Sequence, residues 1–273
     1  MSTKYQAWLN GEVCLKCHAF DRGLHYGDGF FTSILAYQGR LLNWSAHWHR
    51  LTQSAKRLAF PALEEAEILT DIQPALAAMQ QDFAVIKLML TRGLGAGYAP
   101  PKAPQIQRWV FLSQAPGLAI EFMPKIHVIR CQTPVSENAK LAGIKHLNRL
   151  DNVLARAEVE TAQADEGLML NQHQHVICGT QGNLVILREG KLCTPTLECA
   201  GVEGTCLRTL QSLSLGLEWQ VCDLTWQDVV NAQAAFICNA VRGVQVIERL
   251  ESHLFDGQLI QPIHQAWWSY NLT

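Results

Sequence analysis

The residue in this chain best suited to covalent chemistry is Lys145. It lies in Leu141-Ala-Gly-Ile-Lys145-His-Leu-Asn148-Arg149-Leu150, an apolar, glycine-containing segment just ahead of a helical pattern. Asn148 can cap that helix, with Asp151 three residues on, and Leu150, Val153, Leu154 and Ala157 mark one helical face. A lysine held in this way is partly desolvated, which lowers its pKa and frees its amine for Schiff-base chemistry. On the local pattern alone, a solvated lysine at a helix entrance is the better fit.

Other stretches have the chemistry to hold an anion. Gly201-Val-Glu-Gly204-Thr205-Cys206-Leu-Arg208 opens a helix, and glycine, threonine and unpaired amides at a helix N-terminus suit a phosphate or form a plain cap. Arg50, in Ser45-Ala-His47-Trp-His49-Arg50-Leu51, is an anion clamp or a surface arginine. His47 and His49 are two apart and do not share a helical face, so they make no metal pair. Cys14-Leu-Lys-Cys17-His18 satisfies the pattern for haem attachment, but that chemistry normally requires export and no export signal is visible. No second Cys-x-x-Cys exists to complete a zinc site.

The elements that must position these residues read as mixed α and β. Residues 5–20 alternate as a strand, a turn at Asn10-Gly11 and a second strand. Asp21-Arg22…Tyr26-Gly27-Asp28-Gly29 reads as a tight turn. A helix is expected from Ser45 to about Leu58, another over 63–81, and strands over Phe83–Arg92 and Gln107–Leu112. Ala115-Pro116-Gly117 to Pro124 is the linker candidate, so we expect domains at 1–117 and 124–273 joined by 118–123. Beyond it come a strand from Pro124, the Lys145 segment with its helix, a hairpin over 167–178 and a small loop, Gly179-Thr180-Gln181-Gly182-Asn183. Strands over 184–187 and 191–195, the Gly204 helix, and strands over 219–224 and 234–238 follow.

Composition bounds the function. With 273 residues, 48% hydrophobic and 17% charged, the chain has enough apolar material for two globular cores. A net charge of -2 argues against a nucleic-acid binder, which needs a basic stripe. No apolar run approaches the roughly 20 residues that span a bilayer. The start, from Met1, lacks a leader pattern, and nine scattered cysteines read as reduced thiols, so the expected location is the cytoplasm.

The order of these pieces resembles the fold-type-IV pyridoxal-phosphate enzymes, the class IV aminotransferase superfamily. The resemblance runs from about Asn10 to Val246. It rests on Asp21-Arg22…Tyr26-Gly27-Asp28-Gly29…Phe31-Thr32, Ser45-Ala-His47…Arg50-Leu51, Thr91-Arg92-Gly93…Gly97-Tyr98, Ile144 to Arg149, and Asn239-Ala-Val-Arg-Gly243-Val. It implies an α+β fold of two α/β domains with the cofactor in the cleft between them, and a homodimer acting on a small molecule. Lys145 would carry pyridoxal phosphate and act as base, and Arg50, Gly204, Thr205 and Thr180 would hold the phosphate. Arg92, Tyr98, His146 and Asn239 would meet substrate. Relatives that transaminate usually carry glutamate where Thr32 stands, and lyases of the family share His146 to Arg149. The implied reaction is therefore elimination of pyruvate from 4-amino-4-deoxychorismate, giving 4-aminobenzoate for folate biosynthesis. The alternatives are transamination of D- or branched-chain amino acids, or a cofactor-binding homologue with impaired catalysis.

Three positions depart from the family. Cys178 stands where a glutamate usually meets the cofactor's ring nitrogen, and a neutral thiol keeps that nitrogen protonated far less well. A barrier raised by about 3 kcal/mol would slow the reaction roughly 150-fold. Ala96 stands where many relatives have arginine before Gly97-Tyr98, leaving Arg92 or another residue to meet a substrate carboxylate. The spacing from Gly204 to Arg208 is one residue longer than usual.

Overall fold

The computed structural model describes residues 6–272; Met1 to Tyr5, where the leader pattern was sought, and Thr273 lie outside the described residues. The chain divides into two compact units, Met1–Gly117 with Ile144–Asn148, and Leu118–Gly143 with Arg149–Thr273. This corrects the expected domains, because the Lys145 segment belongs to the first unit and 118–123 to the second. The reason is physical. Ile144 is buried in the first unit's core, Phe31 N donates to Lys145 O at 2.9 Å, and Leu147 N donates to Gly29 O at 3.0 Å.

The first unit contains β1 (Gln6–Leu9), β2 (Glu12–Val13), α1 (Arg22–Tyr26), β3 (Gly29–Tyr37), β4 (Arg40–Leu41), α2 (Trp44–Arg57), α3 (Glu65–Ala77), β5 (Phe83–Thr91) and β6 (Gln107–Gln114). Its sheet runs β2-β1-β6-β5-β3-β4, with β3, β5 and β6 antiparallel. Strand alternation sends Phe30, Ile34, Ile86, Leu88 and Val110 into one core with Leu51 and Ala55 of α2 and Ile68 and Ile72 of α3. The stretch 21–29 is more than the turn expected of it. Asp21 caps a five-residue helix by accepting from Gly23 N at 2.8 Å, and Gly27 ends it at φ 63°, where a side chain would strike Asn148.

The second unit contains β7 (Lys125–Arg130), α4 (Leu150–Thr161), β8 (Glu166–Leu170), β9 (Val176–Gly179), β10 (Asn183–Arg188), β11 (Lys191–Pro195), α5 (Thr205–Ser212), β12 (Glu218–Cys222), α6 (Trp226–Val230), β13 (Ala234–Asn239), β14 (Gly243–Leu250), β15 (His253–Leu254) and α7 (Gln261–Leu272). The nine strands form one mixed sheet in the order β12-β11-β10-β13-β14-β7-β8-β9, with β15 on β14. Sequence analysis passed over β14, β15 and α7. It also misread α4, whose N-cap is Arg149 with no side-chain capping bond. Ala155 and Val159 are the residues of α4 that face the core, while Leu150, Val153 and Leu154 are exposed. No helix among the described residues is long and apolar enough to cross a membrane.

Candidate active site

Backbone pairing at the edge of β3 fixes the Lys145 segment: His146 bridges Phe30, between the two hydrogen bonds that flank it. The Lys145 Nζ lies 4.8 Å from the centroid of the Phe31 ring. On the buried side of the same strand, Thr32 Oγ1 lies 2.6 Å from His47 Nδ1 and accepts from Arg50 Nη1 at 3.3 Å. Helical spacing places His47, Leu51 and Ser54 on the buried face of α2 and brings Arg50 to Thr32. Burial, then the charges of Arg50 and Lys145, hold the His47 imidazole well below its usual pKa of 6.5. In the tautomer protonated at Nε2, the neutral imidazole accepts a hydrogen bond at Nδ1 from the Thr32 hydroxyl, whose oxygen in turn accepts from Arg50. Thr32, expected to act in catalysis, is hydrogen-bonded to both His47 and Arg50.

Arg92 does not serve as the expected carboxylate ligand. Its Nε donates to Asp28 at 2.9 Å, Nη1 to Ala59 O at 2.9 Å and Nη2 to Leu58 O at 2.7 Å, with its guanidinium over the Phe60 ring. Arg22 shares Asp28 at 2.8 Å and donates to Gly97 O at 2.7 Å and Tyr98 O at 3.2 Å. Arg22 thus anchors the loop around Gly97, Arg92 ties Asp28 to the end of α2, and Tyr98 stands 88% exposed beside Tyr26.

In the second unit, Cys178 is buried opposite Met169. The nearby Arg149 guanidinium is held below its usual pKa by burial, an effect that Cys178 and then Asp151 partly offset. Glu166 is the buried carboxylate of this region, and sequence analysis missed it. Its Oε1 accepts from Gly167 N at 2.8 Å, Thr180 N at 2.9 Å and the Thr180 hydroxyl, and its Oε2 from Gln181 N at 3.2 Å. These bonds correct the expected role of Thr180, whose hydroxyl is turned inward to Glu166. They also occupy Glu166, so it does not replace the glutamate absent at Cys178. The missed signal was an acidic residue inside an otherwise apolar strand.

At α5, a Cβ on Gly204 would lie 1.9 Å from Asn183 Oδ1, so only glycine fits this approach to the helix. Asn183 Nδ2 donates to Val202 O at 2.8 Å and holds the loop. Thr205 opens the helix, whose first amides have no partners within it. The Asn239 Oδ1 accepts from Val241 N at 3.0 Å and Arg242 N at 2.8 Å, so it holds its own turn.

Each unit has donors of its own: in the first, Lys145 offers an amine and Arg50 a cation suited to a phosphate oxygen, and in the second the N-terminus of α5 suits an anion. Among the described residues no group of three or more His, Cys, Asp or Glu is placed to hold a metal ion.

Comparison with known proteins agrees. Residues 29–250 match the family described as Amino-transferase class IV. The chain is 32% identical over 250 residues to an aminodeoxychorismate lyase of Vibrio harveyi, covering 90% of this chain and 91% of that one. It is 28% identical over 265 residues to a putative branched-chain-amino-acid aminotransferase of Methanocaldococcus jannaschii, covering 94% and 91%. The solved structure of 4-amino-4-deoxychorismate lyase from Pseudomonas aeruginosa matches with a TM-score of 0.87 and 32% identity, over 95% of this chain and 97% of that one.

Proposed function

This chain belongs to the class IV aminotransferase family and is a pyridoxal-phosphate-dependent lyase, and from that premise we propose that it is an aminodeoxychorismate lyase. Its reaction would convert 4-amino-4-deoxychorismate to 4-aminobenzoate and pyruvate, in folate biosynthesis. The observation that carries the reading is Thr32: its hydroxyl is committed to His47 and Arg50 at the place where transaminating relatives have glutamate. We further propose a homodimer in the cytoplasm; the nine cysteines are all free, in keeping with a reducing compartment.

Bound pyridoxal phosphate supplies an electron sink for the charge left when a C–H bond breaks. In this reading Lys145 Nζ would hold the cofactor's aldehyde, and as a free amine would remove the proton from the substrate carbon that bears the amino group. In the first unit Arg50, held by Thr32, would meet a phosphate oxygen, and in the second the first amides of α5, at Gly204 and Thr205, have the chemistry for one. The enolpyruvyl group leaves as pyruvate as the ring becomes aromatic.

Purified protein is expected to absorb near ~420 nm, with a band that borohydride bleaches. Lys145→Ala is expected to lack that band, and its persistence would refute the assignment of the lysine. Offered 4-amino-4-deoxychorismate, D-alanine and leucine together, the enzyme should consume the first. Turnover of the amino acids alone would establish the aminotransferase instead.

A further inference from the structure

The register of the first sheet puts a second amine beside Lys145's aromatic neighbour. Lys87 pairs with Ser33 across β3 and with Phe111 across β6, while Phe31 pairs with Met89, so these side chains share one sheet face. The Lys87 Nζ lies 4.7 Å from the Phe31 centroid and 5.9 Å from that of Phe111. The Phe31 ring thus has both the Lys87 and the Lys145 ammonium groups within 5 Å of its centre.

Lys87 also differs from its cationic neighbours in what it meets. Arg22 and Arg92 are paired with Asp28, and Arg108 with Asp71 and Glu67. Among the described residues Lys87 has no carboxylate partner, and burial alone lowers its pKa. Aromatic faces offset part of the cost of desolvating an ammonium group, and a carboxylate would offset more.

Resting on the lyase reading above, we propose that Lys87 binds the substrate's ring carboxylate, across the ring from the carbon whose proton Lys145 removes. Phe31 and Phe111 form its apolar wall. Lys87 thereby takes the part first expected of Arg92.

The test uses holoenzyme and three variants, Lys87→Gln, Lys87→Met and Lys87→Arg. Calorimetric binding of 4-aminobenzoate is compared with binding of 4-aminobenzamide, which lacks the charge. The wild type should prefer the carboxylate, and Lys87→Gln and Lys87→Met should weaken its binding roughly ten- to hundredfold while leaving the amide unaffected. Lys87→Arg should restore much of the preference, and the cofactor band should be unchanged throughout. In turnover the loss should fall on KM more than on kcat. Unchanged preference in Lys87→Gln would overturn the proposal, as would an equal loss for acid and amide. The binding arm does not require turnover, so an enzyme without lyase activity that still shows Lys87-dependent preference refutes the reaction and not the site.

Discussion

Thr32 and His47 form a 2.6 Å hydrogen bond within the first unit, with both side chains buried. The bond joins the strand that carries Phe31 to the helix that carries Arg50, so it transmits position between them. Thr32→Val keeps the shape and removes the hydroxyl, leaving His47 Nδ1 without its donor. We expect a stability loss of about 1–3 kcal/mol in urea unfolding and weaker cofactor retention on dialysis. Thr32→Ser should recover both. An equal defect in serine and valine variants would mean that the methyl group, and not the hydroxyl, matters.

His47 also predicts a pH dependence. Its folded pKa is lowered by burial and then by Arg50 and Lys145, whereas the unfolded value stays near ~6.5. Its stabilising contribution is complete above that value. As pH falls below it the unfolded chain gains a proton that the folded chain refuses, and stability drops by up to about 1.4 kcal/mol per pH unit. Tm should therefore fall more steeply from pH 7 to 5 in the wild type than in His47→Asn. Parallel curves for the two proteins would show that His47 protonates freely in the fold.

Cys178 has Arg149 beside it, which bears on restoring the family's glutamate. A carboxylate introduced by Cys178→Glu would be drawn to that guanidinium as well as to a ring nitrogen. We therefore expect a rise in kcat smaller than the roughly 150-fold that ~3 kcal/mol would give. Single-turnover kinetics would report it, and a fall in rate would mean that the thiol is part of a working arrangement.

Glu166 carries the turn after Cys178 by accepting from Gly167, Thr180 and Gln181. Glu166→Ala would leave several buried donors without an acceptor, each worth about 1–3 kcal/mol. We expect a loss of roughly 3 kcal/mol or more in denaturant unfolding, with Glu166→Gln between it and the wild type. A loss under ~1 kcal/mol for the alanine variant would show that water takes over the acceptor role.

Several strands and helices before β13 were legible where periodicity and turn residues agree: Asn10-Gly11 closes a hairpin, and Phe83 to Thr91 alternates through β5, whereas α1 and β3 were not foreseen. The family motifs located Lys145 and Arg50. What remained hidden depends on register and on long-range partners. Lys87 meets Phe31 only because Ser33 faces it across β3, and Arg92 is consumed by Asp28 and two carbonyls, one of them Ala59's.

The apolar pattern of α4 shows the same limit and gives the last prediction. Periodicity found a face but not what covers it: Leu150, Val153 and Leu154 are 68%, 61% and 52% exposed in the single chain. Three large apolar side chains on one helical face are costly to leave in water. If the proposed homodimer forms through this face, the double variant Leu150→Glu/Leu154→Glu should place like charges on both sides of the contact. Light scattering should then give the mass of one chain, where the wild type gives two, and circular dichroism should be unchanged because these positions lie outside the core. A dimeric double variant would locate the interface elsewhere.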